Sequence, residues 1–382
     1  MITEKIKEII DKMKAIQVHI LNYLDNEEDT EQNFQKHINI LDDHQIHDNR
    51  SYLQLFINLI KNIADNHRRT PSFFIKIEKI VTIYKDDINK HFTKSELLNI
   101  FKKSKRLLLL LIKMQIIPAY RDFYDTISTY FFYRCKYHHY FRKEILPFVD
   151  HKLRKLMQYH EDFDYYLESE IPDDYEKNRE IGEAEDYVCE LIRKDSISEF
   201  VKFHAENELQ YDYFIYPSVY ETNMSLVDVK SGPDENIPVI EYAAFYGATK
   251  IFNYLFKYAE KYPSLWIRAV HSRNLNIIRK LEEEKVDSIY EKSGNKPFLN
   301  CIEESIKCHH NEFVYFFMNN FIDYKIDPYF ILELALKYYN FELMDSELFN
   351  QSSFVNLCKY NYLIFVDLLL KDKDIDVNSY AI

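Results

Sequence analysis

Tyr242-Ala243-Ala244-Phe245-Tyr246-Gly247-Ala248-Thr249-Lys250-Ile251-Phe252-Asn253-Tyr254-Leu255-Phe256 is the stretch that decides how this chain folds. Two short apolar runs meet at Gly247. Ala244 gives the first run a small packing face, and Ile251 and Leu255 recur at helical spacing on the second. Glycine enters the left-handed backbone region at no steric cost, so Gly247 reads as a turn between two antiparallel helices.

The pattern returns along the second half of the chain. Leu357–Leu370 turns at Asn361 and leads into Asp376-Val377-Asn378. Weaker copies are Ala269–Leu281 turning at Arg273, Ser305–Phe317 at His309, and Ala335–Met344 at Tyr339. A further pair precedes them, Val188–Phe203 turning at Asp195, with Ser196 and Glu199 expected to form a capping box. Ala244, Ala269, Ser305 and Ala335 let the first helices approach closely. Ile251, Leu255, Ile277, Ile278, Val314, Phe317, Val366 and Leu370 fill the space between layers. No single pair can bury its own face, so stability has to come from stacking.

These segments resemble ankyrin repeats, in which a short first helix ends at a glycine turn and a second helix runs back. None of the copies keeps the family's Thr-Pro-Leu-His. Arg273, His309, Tyr339 and Asn361 replace glycine at the turn, and of these only asparagine tolerates a left-handed backbone comfortably. Ile63–Pro71, Ile240–Gly247 and Cys301–Asn311 together resemble the divergent ankyrin-type proteins expanded in trichomonad-like parasitic protists. That resemblance implies a helical N-terminal region and an uncharacterised domain overlapping the repeats, with no established activity. The expected fold is all-α. A helical N-terminal domain (1–160) and an acidic linker (161–184) would precede an ankyrin-like solenoid (185–382) of about five to six degenerate helix pairs.

Composition narrows the function classes. The 382 residues include only four glycines, and no two of them form a Gly-x-Gly. Phosphate-cradling loops need glycines so that backbone N–H groups can approach the anion, so Walker, dinucleotide and kinase loops are excluded. A net charge of −13 argues against a chain that coats nucleic acid as a whole. The charged N-terminus lacks the apolar core of a signal peptide, and the apolar run Leu107–Ile112 is far too short to span a bilayer. Five sparse cysteines read as reduced, buried thiols, which points to a cytoplasmic location.

Thr93 and Glu96 are spaced as a capping box opening an N-terminal helix. Charge then becomes asymmetric. Residues 101–160 hold 13 Lys/Arg against 4 Asp/Glu, and residues 161–190 hold 13 Asp/Glu against Lys177 and Arg179. The acidic stretch is expected to lie back against the basic one, since opposite fields this close attract at physiological salt.

No catalytic residue set, metal site or cofactor is expected. Cys301, Cys308, His309 and His310 fit no compact zinc spacing, and His309 falls in a turn. Arg68 and Arg69 read either as a polar loop or as an anion contact. Trp266 and Tyr290, beside or within the fingers that connect the pairs, are candidate partner-binding residues, although Trp266 fits a core position equally well. The expectation is a non-enzymatic scaffold that binds a protein partner through its repeats. The competing reading is nucleic-acid or anionic-membrane binding through the basic, aromatic segment 101–160. Leu363, Val366 and Leu370 are expected to leave an apolar face at the C-terminal end that would permit self-association.

Overall fold

The structure is a computed structural model. It describes residues 2–26, 30–47, 49–118, 139–148, 170–216, 218–227, 236–287, 298–371 and 375–377. The fold is all-α. Its strands among the described residues are the two-residue β1 (Phe214–Ile215) and β2 (Ile237–Pro238), paired antiparallel. The helices run α1 (Ile2–Asp25), α2 (Glu31–Asp43), α3 (Arg50–Asn66), α4 (Phe73–Ile83), α5 (Lys85–His91), α6 (Lys94–Phe101) and α7 (Lys105–Lys113). There follow α8 (Arg142–Ile145), α9 (Tyr175–Ile181), α10 (Tyr187–Arg193), α11 (Ile197–Glu206) and α12 (Met224–Val227). The remainder form α13 (Val239–Tyr246), α14 (Thr249–Leu255), α15 (Leu265–Ser272), α16 (Leu275–Glu283), α17 (Leu299–Lys307), α18 (Asn311–Asn320), α19 (Pro328–Lys337), α20 (Gln351–Lys359) and α21 (Leu363–Leu369).

Two compact units interleave along the sequence. One comprises Met1–Tyr84, Ala244–Thr249 and Glu260–Ile382, and the other Lys85–Ala243 and Lys250–Ala259. In the first, α15, α17, α19 and α20 pack side by side, each pair of neighbours in contact. The small residues Ala244, Ala269, Ser305 and Ala335 are fully buried, as close helix approach requires. Each turn anticipated at positions 195, 247, 273, 309, 339 and 361 has a positive φ, between 48° and 70°. Three of the six, Arg273, His309 and Tyr339, are therefore residues other than glycine or Asn/Asp held in the left-handed region, so the surrounding packing has overridden local preference.

A hydrogen-bond ladder explains that override. At four of these turns, those at 273, 309, 339 and 361, the residue after the left-handed position reaches a carbonyl near the end of the preceding first helix. Asn274 Nδ2 donates to Gly247 O (2.9 Å), His310 Nδ1 lies 3.1 Å from Val270 O, Asn340 Nδ2 donates to Ile306 O (2.9 Å), and Tyr362 Oη donates to Leu336 O (3.0 Å). These contacts give the helix-end carbonyls a side-chain partner from the next turn, beside the backbone N–H that Val270 O, Ile306 O and Leu336 O already accept. Helix α1 packs along the same unit, where the buried Gln17 donates to Asn340 Oδ1 (3.0 Å) and accepts from Phe341 N (2.6 Å).

In the second unit the capping box of α6 is present, with Glu96 N donating to Thr93 Oγ1 (3.3 Å) and Thr93 N to Glu96 Oε2 (2.8 Å). The box expected at Ser196 is absent, because that side chain makes no cap bond. Asp195 caps elsewhere, accepting from Lys250 N and Ile251 N at 3.0–3.1 Å. Among the described residues, Lys113 and Lys143 of the basic segment pair with Glu180 and Glu176 of the acidic one at 3.0 and 2.6 Å, and Arg179 of the acidic stretch pairs with Glu144 of the basic one at 2.8 Å.

Candidate functional site

The turn between α15 and α16 builds a polar concavity. Arg273 takes the left-handed position (φ 57°), and Asn274 caps α16 by accepting from Asn276 N (3.0 Å) and Ile277 N (3.3 Å). The amide nitrogen of Asn274 also donates to Thr249 Oγ1 (2.8 Å), which fixes this turn against the preceding one. A cleft of about 440 Å³ opens here, lined by Arg68, Tyr246, Gly247 and Ser272 together with Arg273, Asn274, Leu275, Asn276 and Arg279. Three guanidinium groups thus share one opening.

Asp25 at the end of α1 positions two of them. It accepts from Arg68 Nε (3.4 Å) and Arg273 Nη1 (3.1 Å), and His67 Nε2 lies 3.3 Å away. Burial opposes its ionisation, yet the His67 hydrogen bond and the neighbouring Arg68 and Arg273 charges hold its carboxyl well below the usual range. Arg273 Nε pairs in addition with Glu312 (2.5 Å). Each guanidinium carries five N–H donors in a planar fork, so these pairs leave donors on Arg68 and Arg273 for a ligand. Arg279 is exposed and has no ion-pair partner among the described residues.

Of the two arginines singled out in the sequence, Arg68 lines this cleft and Arg69 does not. Its guanidinium stacks over the Phe74 ring, 4.6 Å from the centroid. Trp266 is 2% exposed, so its expected role in partner binding is corrected to core packing. Its Nε1 donates to Val286 O (2.9 Å), and its ring packs against Phe298, Phe317 and Phe321. Tyr290 lies outside the described residues. Arg273 and Arg279 were missed as site residues because they are more than 200 positions from Arg68 in sequence.

A second constellation lies in the core of the same unit. His271 Nδ1 is 3.0 Å from Glu304 Oε1 and 3.2 Å from Cys308 Sγ, and Cys308 Sγ is 3.4 Å from that same oxygen. Burial would disfavour the Glu304 charge, but Lys307 (3.2 Å) and His271 hold the carboxyl well below its usual range. Burial outweighs Glu304 at His271 and lowers the imidazole to about 4, so the ring is neutral. Burial and the adjacent Glu304 charge push the Cys308 thiol well above its ordinary value, which leaves it protonated and unsuited to attack as a thiolate. His309 and His310 do not join this trio: one occupies the left-handed turn, and the other belongs to the hydrogen-bond ladder.

Several remaining expectations change in detail. Lys105, Arg106 and Arg142 of the basic segment are buried. Lys105 Nζ donates to Val219 O and Glu221 O (both 3.0 Å), and Arg106 Nη1 to Arg179 O (3.0 Å), so these charges serve the interior. Positions 119–138 and 149–160 lie outside the described residues. Cys189, Cys301 and Cys308 are buried thiols, while Cys358 is exposed, contrary to expectation, because it sits on the outward side of α20. At the C-terminal end Leu363 and Leu370 are 47% and 48% exposed, but Val366 is buried, so the apolar face is narrower than anticipated. Among the described residues no helix is long and apolar enough to cross a membrane. No protein family, curated protein or solved structure matches the chain.

Proposed function

We propose that this chain is a non-enzymatic protein-interaction scaffold, built on an ankyrin-like array of helix pairs, that docks an acidic partner segment at the Arg68–Arg273–Arg279 cleft. The observation that carries the proposal is the convergence of three guanidinium groups on one open cleft at a turn of the array. Bidentate pairing with carboxylates is the chemistry the guanidinium fork performs best. Asp25 and Glu312 pre-orient Arg68 and Arg273, which lowers the entropy lost on binding. The net charge of −13 does not defeat this attraction, because acidic residues beyond about 8 Å are largely screened at physiological salt.

The test is an array of acidic, neutral and basic peptides probed with the full chain and with Arg279→Glu. Selective binding to acidic peptides is expected, weakening as salt rises and falling at least about tenfold in the variant, the loss of one charge-assisted contact. Equal binding to all peptide classes, or no change in Arg279→Glu, overturns the reading.

A further inference from the structure

His271, Glu304 and Cys308 bring three potential metal-ligand atoms together in the core. Glu304 on α17 and Cys308 at its C-cap are four residues apart, one helical turn, so they share a face, and α15 packs against that helix to bring in His271. The three donor atoms form a closed triangle with edges of 3.0, 3.2 and 3.4 Å. Each edge needs a proton to be attractive. Lys307 pairs with Glu304 Oε2 at 3.2 Å as with a carboxylate, and Nδ1 and Sγ can then bring at most two protons to these three atoms. If Nδ1–H and S–H both donate to Glu304 Oε1, sulfur and nitrogen face each other at 3.2 Å with nothing between them. If S–H donates to Nδ1, that nitrogen's lone pair faces the carboxylate at 3.0 Å. One edge is repulsive in either arrangement, inside a fully buried site where solvent cannot relieve it.

We propose that these three side chains bind one divalent ion of the zinc class. A cation at the centre of the triangle satisfies all three donors together. Metal–ligand lengths of roughly 2.0–2.3 Å at tetrahedral angles place such donors about 3.3–3.6 Å apart, so the observed triangle has to open by only a few tenths of an ångström. The donor set of imidazole nitrogen, carboxylate oxygen and thiolate sulfur is the mixture zinc takes. The supporting contacts are those of an oriented ligand set. Phe245 stacks on the His271 ring (3.9 Å, 14°), and Lys307 engages Glu304 Oε2 and leaves Oε1 for the ion. On binding, Cys308 Sγ forms the metal–sulfur bond and releases its proton to solvent, and the imidazole proton resides on Nε2 so that Nδ1 can ligate. The fourth position is taken by a water molecule that the ion carries in with it. The ion would pin α15 to α17, neighbours in the hairpin stack.

The experiment uses the full chain, refolded with zinc and separately with cobalt(II), then dialysed. Elemental analysis is expected to find close to one ion per chain. The cobalt form is expected to show the sulfur-to-metal charge-transfer band and the intense visible bands of a four-coordinate thiolate site. Cys308→Ser should abolish the charge-transfer band and weaken binding by more than about tenfold, since losing even an outer partner of a metal ligand costs that much. Cys301→Ser, which changes another buried thiol on α17, should leave both signals intact. The spectrum of the unmodified chain decides the matter even if a variant fails to fold. A chain that retains no metal, a cobalt form without the thiolate band, or a band that persists in Cys308→Ser overturns the proposal.

Discussion

At a left-handed position the Cβ of an L-residue crowds the following carbonyl, which costs roughly 1–2 kcal/mol for residues other than glycine. This chain accepts that cost at Arg273, His309 and Tyr339 because the next side chain in each case closes a rung of the hydrogen-bond ladder. Gly247 is the turn that avoids it, and its environment has closed around the absent side chain. A Cβ there would lie 3.3 Å from Asn274 Nδ2 and 3.4 Å from Ser272 Cβ. Asn274 Nδ2 cannot retreat without lengthening its bonds to Gly247 O and Thr249 Oγ1. Gly247→Ala is therefore expected to destabilise the chain by about 1–2 kcal/mol, read as a lower urea midpoint at unchanged slope. An unchanged midpoint would show that the turn relaxes freely. The turn positions were legible in the sequence because small residues and helical apolar spacing bracket each one. The rungs were not, since nothing local in Asn274, His310, Asn340 or Tyr362 names a carbonyl some 26 to 40 residues earlier.

The α1–α2 pair shows how an element's stability can depend on protons. His19 on α1 and His37 on α2 meet with ring nitrogens 2.6 Å apart. Burial, then the His19 and Lys36 charges, and Lys76 from α4 lower His37 to about 4. Burial likewise lowers His19, with His44 and Lys36 adding to it, and lowers His44, with Lys12 adding. An unfolded histidine titrates near ~6.5, so between that value and about 4 the unfolded chain binds protons that folded His37 does not. The stability is fully present above ~6.5 and is lost as pH falls through this window. Urea midpoints should be lower at pH 5 than at pH 7, and His37→Gln should narrow the difference. An equal drop in His37→Gln would assign the pH dependence to other groups. The helices themselves were readable: Ile6, Ile9, Ile10, Met13 and Ile16 on α1 are all buried, as their spacing predicts. The burial of Lys105, Arg106 and Arg142 was not, because a basic, aromatic sequence looks the same whether its charges face water or helix-end and loop carbonyls.

At the scale of the whole molecule, the N-terminal helices and the C-terminal hairpins belong to one folded unit. Gln17 is wholly buried and bridges Asn340 Oδ1 and Phe341 N, Gln54 Nε2 donates to Asn361 O (3.3 Å), and His67 Nδ1 contacts Cys308 O (2.7 Å). Each contact lands on or beside a left-handed turn, so the N-terminal helices supply polar partners that the turns cannot supply for themselves. The arginine cleft has the same origin, with Arg68 from one end of the sequence and Arg273 and Arg279 from the other. Composition and periodicity are local quantities and carry no trace of such pairings, which is why the cleft was half-legible, through Arg68 alone. A chain beginning at residue 85 would lack all of these partners. It would leave Phe341 N and Asn361 O without their side-chain partners and uncover the surface on which α1 and α3 rest. Each buried polar group left unsatisfied costs about 1–3 kcal/mol, against a total stability of about 5–15 kcal/mol for a typical domain, before any loss of apolar burial. That shorter chain is expected to bind a hydrophobic dye and to unfold without a sharp urea transition, and residues 1–84 added in trans should restore cooperativity. A sharp transition at the full-length midpoint would instead mean that the hairpins stand without their N-terminal partner, and that the Gln17, Gln54 and His67 contacts contribute little to the fold.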